Sequence, residues 1–130
     1  LSWNVVDSSG WLEYFSKGPN VDFFRPIIKD RKNLLVPSVV IYEVCKVIRL
    51  RQNEQVAEMT AAAMKQGTTV SLAPELAYAA SKLAIQKKLA MADAIIAATA
   101  QAFDATLWTQ DLDFESLPKV RFKAKAQVKP

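Results

Sequence analysis

Three features of the sequence predict an α/β chain with a parallel central sheet and helices on both faces. Short apolar runs, several β-branched, alternate with longer amphipathic stretches, the pattern of strand–helix units. Carboxylates or prolines stand at the ends of several of these runs, where an open α/β sheet gathers its ligands. No repeat, linker or low-complexity segment divides the 130 residues, a length that suits one domain.

The first strand is Val5-Val6, and Asp7 stands where it stops. Ser8 to Ser16 follows as a short helix, capped by Ser8 or Ser9, with Trp11, Leu12 and Phe15 on one side; Gly18-Pro19-Asn20 stops it. Val21 to Lys32 reads as a second helix with Asp22 as its cap and Pro26 tolerated near its first turn. Its Phe23, Phe24, Ile27 and Ile28 face inward, while Arg25, Lys29, Arg31 and Lys32 face water. Leu34-Leu35-Val36 is a second buried strand, and Pro37 suits the first turn of the helix Ser38 to Gln52. That helix has its core stripe at Val40, Val44, Val47 and Ile48, with Glu43 bordering it.

Asn53 caps a helix from Glu54 to Gln66, closed by Gly67. Thr68 to Leu72 is strand-like, and Pro74 to Lys88 is a helix with Leu76, Ala79, Ala80 and Leu83 inward. Leu89 to Phe103 is a helix of small residues that lets neighbouring backbones come close; Asp93 shares a face with Ile96, Ala97 and Ala100. Ala105 to Trp108 is the next strand, with Thr109-Gln110-Asp111-Leu112-Asp113-Phe114 at its end, and Val120 to Phe122 closes the pattern. Lys123 to Pro130 reads as a frayed basic tail.

Composition narrows the chemistry. Hydrophobic residues make up 51% and charged residues 23%, a globular balance without a membrane-length apolar run. Cys45 is the lone cysteine, so no internal disulfide forms, and a cytoplasmic setting is expected. The start at Leu1, without a basic leader and apolar core, reads as no secretory signal. There is no histidine, which excludes Ser-His-Asp and Cys-His catalysis and His-ligated metal. The net charge of +4 permits a polyanionic partner without requiring one.

Four acids remain with unusual addresses. Asp7 and Asp111 follow strand ends, and Glu43 and Asp93 border apolar helix faces. Each has an ordinary structural role open to it: a cap for Asp7, a pair with Lys46 for Glu43, the helix dipole for Asp93, a turn for Asp111 and Asp113. Together they have an economical solution in a divalent cation, because hard Mg²⁺ and Mn²⁺ take carboxylate oxygens and serve phosphodiester hydrolysis.

The four segments that hold these acids resemble the motifs of PIN-domain proteins, and among them the VapC-type toxins of toxin–antitoxin pairs. Val5-Val6-Asp7-Ser8-Ser9-Gly10-Trp11-Leu12 resembles the opening strand, acid and hydroxyl. Pro37 followed by Ile41-Tyr42-Glu43-Val44 resembles the second motif, and Met91-Ala92-Asp93-Ala94-Ile95-Ile96-Ala97-Ala98-Thr99-Ala100 the third. Leu107-Trp108-Thr109-Gln110-Asp111-Leu112-Asp113-Phe114 resembles the last. The resemblance covers nearly the whole chain, with residues 1–123 as a single PIN domain and 124–130 as a basic tail. A Leu1 in place of a start methionine and its short lead suggests trimming.

The resemblance implies a Rossmann-like PIN fold, a Mg²⁺- or Mn²⁺-dependent endoribonuclease, a small VapB-like antitoxin and a homodimer. Carried over by position, Asp7, Glu43, Asp93 and Asp111 form the acidic cluster that binds metal, Asp113 supports it, and Ser9 and Thr109 orient acids or water. Lys46 and Arg49 are candidates for the RNA backbone, as are Arg25, Lys29, Arg31 and Lys32, although an ordinary solvated helix face is the favoured reading of both sets. Two other readings stay open. A phosphoryl-transfer domain also places an acid after its first strand, although Ser9 stands where a second Asp is wanted and no Lys follows the late strand. A non-catalytic RNA- or partner-binding module is the other, against which the clustered negative charge argues.

Overall fold

A computed structural model describes residues 2–126. Its strands are β1 (Asn4–Val6), β2 (Leu34–Pro37), β3 (Thr68–Val70), β4 (Thr106–Thr109) and β5 (Val120–Phe122). Its helices are α1 (Ser8–Ser16), α2 (Val21–Lys29), α3 (Ser38–Arg51), α4 (Glu54–Met64), α5 (Pro74–Gln86) and α6 (Met91–Ala102), with 3₁₀ turns at Arg31–Asn33 and Leu112–Phe114. The strands form one sheet in the order β3-β2-β1-β4-β5, every neighbouring pair parallel.

This order positions the site. The chain leaves β1 toward β2 and β3, then returns to the other side of β1 for β4 and β5. The reversal opens a crevice at the carboxyl ends of β1 and β4, where Asp7 and Thr109-Gln110-Asp111 lie. Val5, Val6, Leu35, Val36 and Leu107 bury the strands, and Trp11, Phe24 and Phe114 fill the space between sheet and helices. All seven residues from Ala94 to Ala100 in α6 are buried, so this helix is covered around its whole circumference. Only a run rich in Ala can be enclosed so tightly without pushing its neighbours apart.

Several local expectations are corrected. Asp7 itself caps α1, its side chain accepting from the Gly10 N–H, so neither Ser8 nor Ser9 serves as cap. The cap position of α2 is Asn20, not Asp22, and it makes no side-chain cap bond; Asp22 pairs with Arg25 instead. Pro26 lies inside α2, which still closes with an Asp30 N–H bond to the Pro26 carbonyl. The helix ends at Lys29, and a 3₁₀ turn covers the remaining expected residues. Gly67 has no positive φ and forms no left-handed cap. It is needed for space: a Cβ there would sit 3.0 Å from the Leu34 carbonyl oxygen.

Pro37 belongs to the end of β2 and precedes α3. β3 stops at Val70, short of Leu72. α5 ends at Gln86, before Lys88 turns left-handed at φ 54°, and α6 begins at Met91. Ala79 is exposed and Leu76 only half-buried, leaving Ala80 and Leu83 as the buried face of α5. The start of the expected frayed tail is held: Lys123 N–H bonds the Thr109 carbonyl at 3.0 Å, and Asn20 Nδ2 bonds the Ala124 carbonyl at 3.0 Å. Residues 127–130 of that tail lie outside the described residues. Among the described residues no helix is long and apolar enough to cross a membrane.

Candidate active site

Asp7 is the buried centre of the crevice, 2% exposed. Ser9 Oγ donates to both of its oxygens at 2.9 Å, Gly10 N–H donates to Oδ1 at 2.9 Å, and Thr109 Oγ1 donates to Oδ2 at 2.7 Å. The hydroxyls sit where β1 and β4 end side by side, because the register pairs Val6 with Trp108. Gly10 must be glycine for α1 to come this close. A Cβ would meet Phe24 Cε1 and Val6 Cγ1 at 2.6 Å.

Thr109 has a second task. Its Oγ1 accepts the Asp111 N–H at 2.9 Å, and Asp111 Oδ1 in turn accepts the Asp113 N–H at 2.9 Å. These bonds fold the segment after β4 into a turn that points its acids back over the sheet. Asp93, in the first turn of α6, meets them: Asp93, Asp111 and Asp113 each offer a carboxylate oxygen within 4.8 Å of the other two. Glu43 stands near this group on α3, held by a 2.5 Å bond from Ser8 Oγ.

The electrostatics record the same convergence. Burial pushes the Asp7 carboxyl up from its ordinary value of 3.8 to about 6, against the lowering effect of the bonds from Thr109, Gly10 and Ser9; the Asp111 charge adds to the rise. Burial also raises Asp93 from 3.8 to about 6, helped by the negative charges of Asp111, Glu43, Asp7 and Asp113. Asp93 therefore feels every acid singled out in the sequence. Among the described residues none of these five acids has an ion pair.

The donor set fits a hard divalent cation. It is oxygen-only, three of its oxygens already converge, and its concentrated charge lacks an internal counterion. Asp113, expected as a supporting acid, is in the innermost trio, whereas the Asp7 oxygens are occupied by protein donors. Lys46 and Arg49 do not join the acids. Arg49 Nη2 bonds Glu54 at 3.0 Å, and Lys46 lies over the Tyr42 ring, both on a groove with Ile41 and Leu50.

Sequence reasoning missed two contributors. The sequence offers Ser8 only as a cap, yet its hydroxyl holds Glu43. Gln110, buried between Thr109 and Asp111, sends Nε2 to the Ser9 carbonyl at 3.3 Å, while its Oε1 accepts from Asn20 Nδ2 at 2.9 Å. Its place inside the last motif was a signal; the pairing with Asn20 was not visible.

The sequence profile of the PIN domain matches residues 5–120. Among curated proteins nothing matches the chain. Solved structures resemble it in fold. A toxin–antitoxin complex from Klebsiella pneumoniae aligns with a TM-score of 0.75 at 23% identity, covering 91% of this chain and 95% of that one. VapC20 from Mycobacterium tuberculosis, a toxin cleaving the sarcin–ricin loop, aligns at 0.73 with 17% identity over 91% and 98% of the two chains. VapBC2 from Rickettsia felis, bound to a DNA fragment from its promoter, aligns at 0.65 with 17% identity over 93% and 97%.

Proposed function

The chain belongs to the PIN domain family, and we propose that it is a metal-dependent endoribonuclease, the toxin of a VapBC-type pair. The observation that carries this reading is the meeting of Asp93, Asp111 and Asp113 beside Asp7 and Glu43 at the carboxyl ends of β1 and β4. Asp7, Glu43, Asp93 and Asp111 are the proposed metal-holding and catalytic acids, with Asp113 completing the set. Bound there, Mg²⁺ or Mn²⁺ supplies a Lewis acid that polarises the phosphodiester and favours an attacking water.

The chain's own residues do the positioning. Ser9, Thr109 and the Gly10 N–H hold the Asp7 carboxylate in one orientation. Thr109 couples that orientation to the Asp111 backbone, so acids from two strand ends move as one unit. Ser8 keeps Glu43 turned toward them. Such preorganisation spares the site a reorganisation when charge develops on the phosphate.

The solved toxin–antitoxin relatives support an antitoxin as partner, and a homodimer and cytoplasmic location belong to the same proposal. The test is cleavage of an RNA panel, tRNAs included, with Mn²⁺, Mg²⁺ or EDTA, comparing wild type with Asp93→Asn. Metal-dependent cutting by wild type and its loss in a folded variant is the expected result. Absence of cutting across a broad panel by folded, antitoxin-free protein overturns the enzyme reading in favour of a binding module.

A further inference from the structure

Beside the acids lies a second concavity of about 340 Å³, lined by Ser9, Leu12, Glu13, Gln110, Arg51 and Lys125 among others. Its volume lies in the range of small-molecule sites, roughly 300–1,000 Å³. It shares Ser9, the residue whose hydroxyl grips both Asp7 oxygens, with the acidic crevice. It also touches Gln110, which stands between Thr109 and Asp111. The pocket is therefore the next space along α1 from the site.

Its charge is of the opposite sign where charge is free. Among the described residues neither Arg51 nor Lys125 has a carboxylate partner, whereas Arg49, two residues before Arg51, is committed to Glu54. Glu13 is in the wall, but its oxygens are turned to protein donors. Oε2 accepts the Asn20 N–H at 2.6 Å, and Oε1 accepts Gln110 Nε2 at 3.4 Å. Asn20 and Gln110 are 4% and 6% exposed, so this wall is built from buried, mutually bonded amides. Asn20 Nδ2 also holds the Ala124 carbonyl, which brings Lys125 to the rim. Leu12 supplies an apolar patch in the same pocket wall.

We propose that this pocket is a nucleotide subsite. It receives the residue adjacent to the bond that is cut, with Arg51 and Lys125 on its phosphate and Leu12 under its sugar or base. The proposal rests on the nuclease reading and adds to it a direction: the strand enters past Arg51 and Lys125 and reaches the acids at Ser9. Two cations beside an acidic cluster also answer the repulsion that the cluster itself exerts on a polyanion.

The test uses two substrates in Mn²⁺ and one binding measurement in EDTA, all on the full chain. Bis(p-nitrophenyl) phosphate is a phosphodiester with no neighbouring nucleotide, and a single-stranded oligoribonucleotide has one. Arg51→Ala/Lys125→Ala is expected to raise KM for the oligoribonucleotide by about tenfold, with kcat nearly unchanged. The salt slope of log(kcat/KM) should flatten by about 0.7 to 1.4. Hydrolysis of the small diester should not change. In EDTA, anisotropy of a labelled oligoribonucleotide should show the same weakening of about tenfold, and Arg51→Glu a larger one. Unchanged KM and binding in the double variant overturn the subsite while both substrates are still cut. An equal loss on both substrates also overturns it, because the residues would then be acting on the site itself. If wild type cuts neither substrate but the variants lose binding, the nuclease reading alone falls and the pocket stands as a nucleotide site.

Discussion

Replacing Asp7 by Asn is expected to stabilise the metal-free protein at neutral pH while removing its activity. The Asp7 carboxyl is 2% exposed and is raised from 3.8 to about 6, chiefly by burial. Its proton is bound more tightly in the folded chain than in the unfolded one. The charged form therefore penalises the native state, fully above about pH 6, and the penalty is gone below 3.8. About two pKa units at about 1.4 kcal/mol each give a penalty on the order of 3 kcal/mol at pH 7.5. Asn has the same shape and no charge. Its Oδ1 still accepts from Gly10, and the Ser9 and Thr109 hydroxyls can rotate to accept from its Nδ2.

Urea unfolding in EDTA at pH 7.5 should show Asp7→Asn more stable than wild type by up to about 3 kcal/mol, on the order of 10 °C in Tm. The gap should close as pH falls from 6 toward 4, because wild type then takes up the proton. Mn²⁺ at 1,000 times its Kd should reverse the order, since it binds the native wild-type site and adds about 4.1 kcal/mol. A variant no more stable than wild type at pH 7.5, or a gap that does not shrink on acidification, refutes the reasoning.

Two further substitutions probe the same frame. Thr109→Val deletes the 2.7 Å bond to Asp7 and the acceptor of the Asp111 N–H, at a cost of about 1–3 kcal/mol. Because the Thr109 bond lowers the Asp7 pKa, its loss should move wild type's gain in stability on acidification to a higher pH, read from urea titrations across pH 5 to 8. Gly10→Ala places a methyl 2.6 Å from Phe24 and Val6 and should destabilise by about 1–3 kcal/mol. It should also weaken Mn²⁺ binding by calorimetry, because α1 must shift against the N–H that holds Asp7; full metal affinity in a destabilised variant would count against that coupling.

What was legible in the sequence is what depends on near neighbours. The junction of an apolar run with Asp7, or of Thr106–Thr109 with Asp111, is a local event, and both fall at the crevice. α6 was visible from its alanines, and burial from Ala94 to Ala100 follows from their size. Helix ends were less legible. Pro26 passes inside α2, and Gly67 leaves room for the Leu34 carbonyl, which a Cβ would meet at 3.0 Å. The positioning bonds were not legible, because Ser8 meets Glu43 across 35 positions and Asn20 meets Gln110 across 90. Lys46 and Arg49 stand out in the sequence because they follow Glu43; Arg51, just over two turns beyond Glu43, lines the pocket by Ser9.

The placement of Asp93 explains why the body of α6 is small and buried. Asp93 lies in the first turn of α6, where the helix dipole favours a carboxylate. The helix comes close to the sheet because Ala94, Ala97, Ala98 and Ala100 present little bulk. A larger side chain there would lift Asp93 away from Asp111 and Asp113. Closeness has a cost: the negative charges of Asp111 and Asp113 add to the burial that raises the Asp93 carboxyl. A divalent cation among them converts each repulsion into a shared attraction. The acids that equip the site for a cation are therefore the same groups that strain the metal-free fold, and metal dependence should be measurable in stability before any RNA is added.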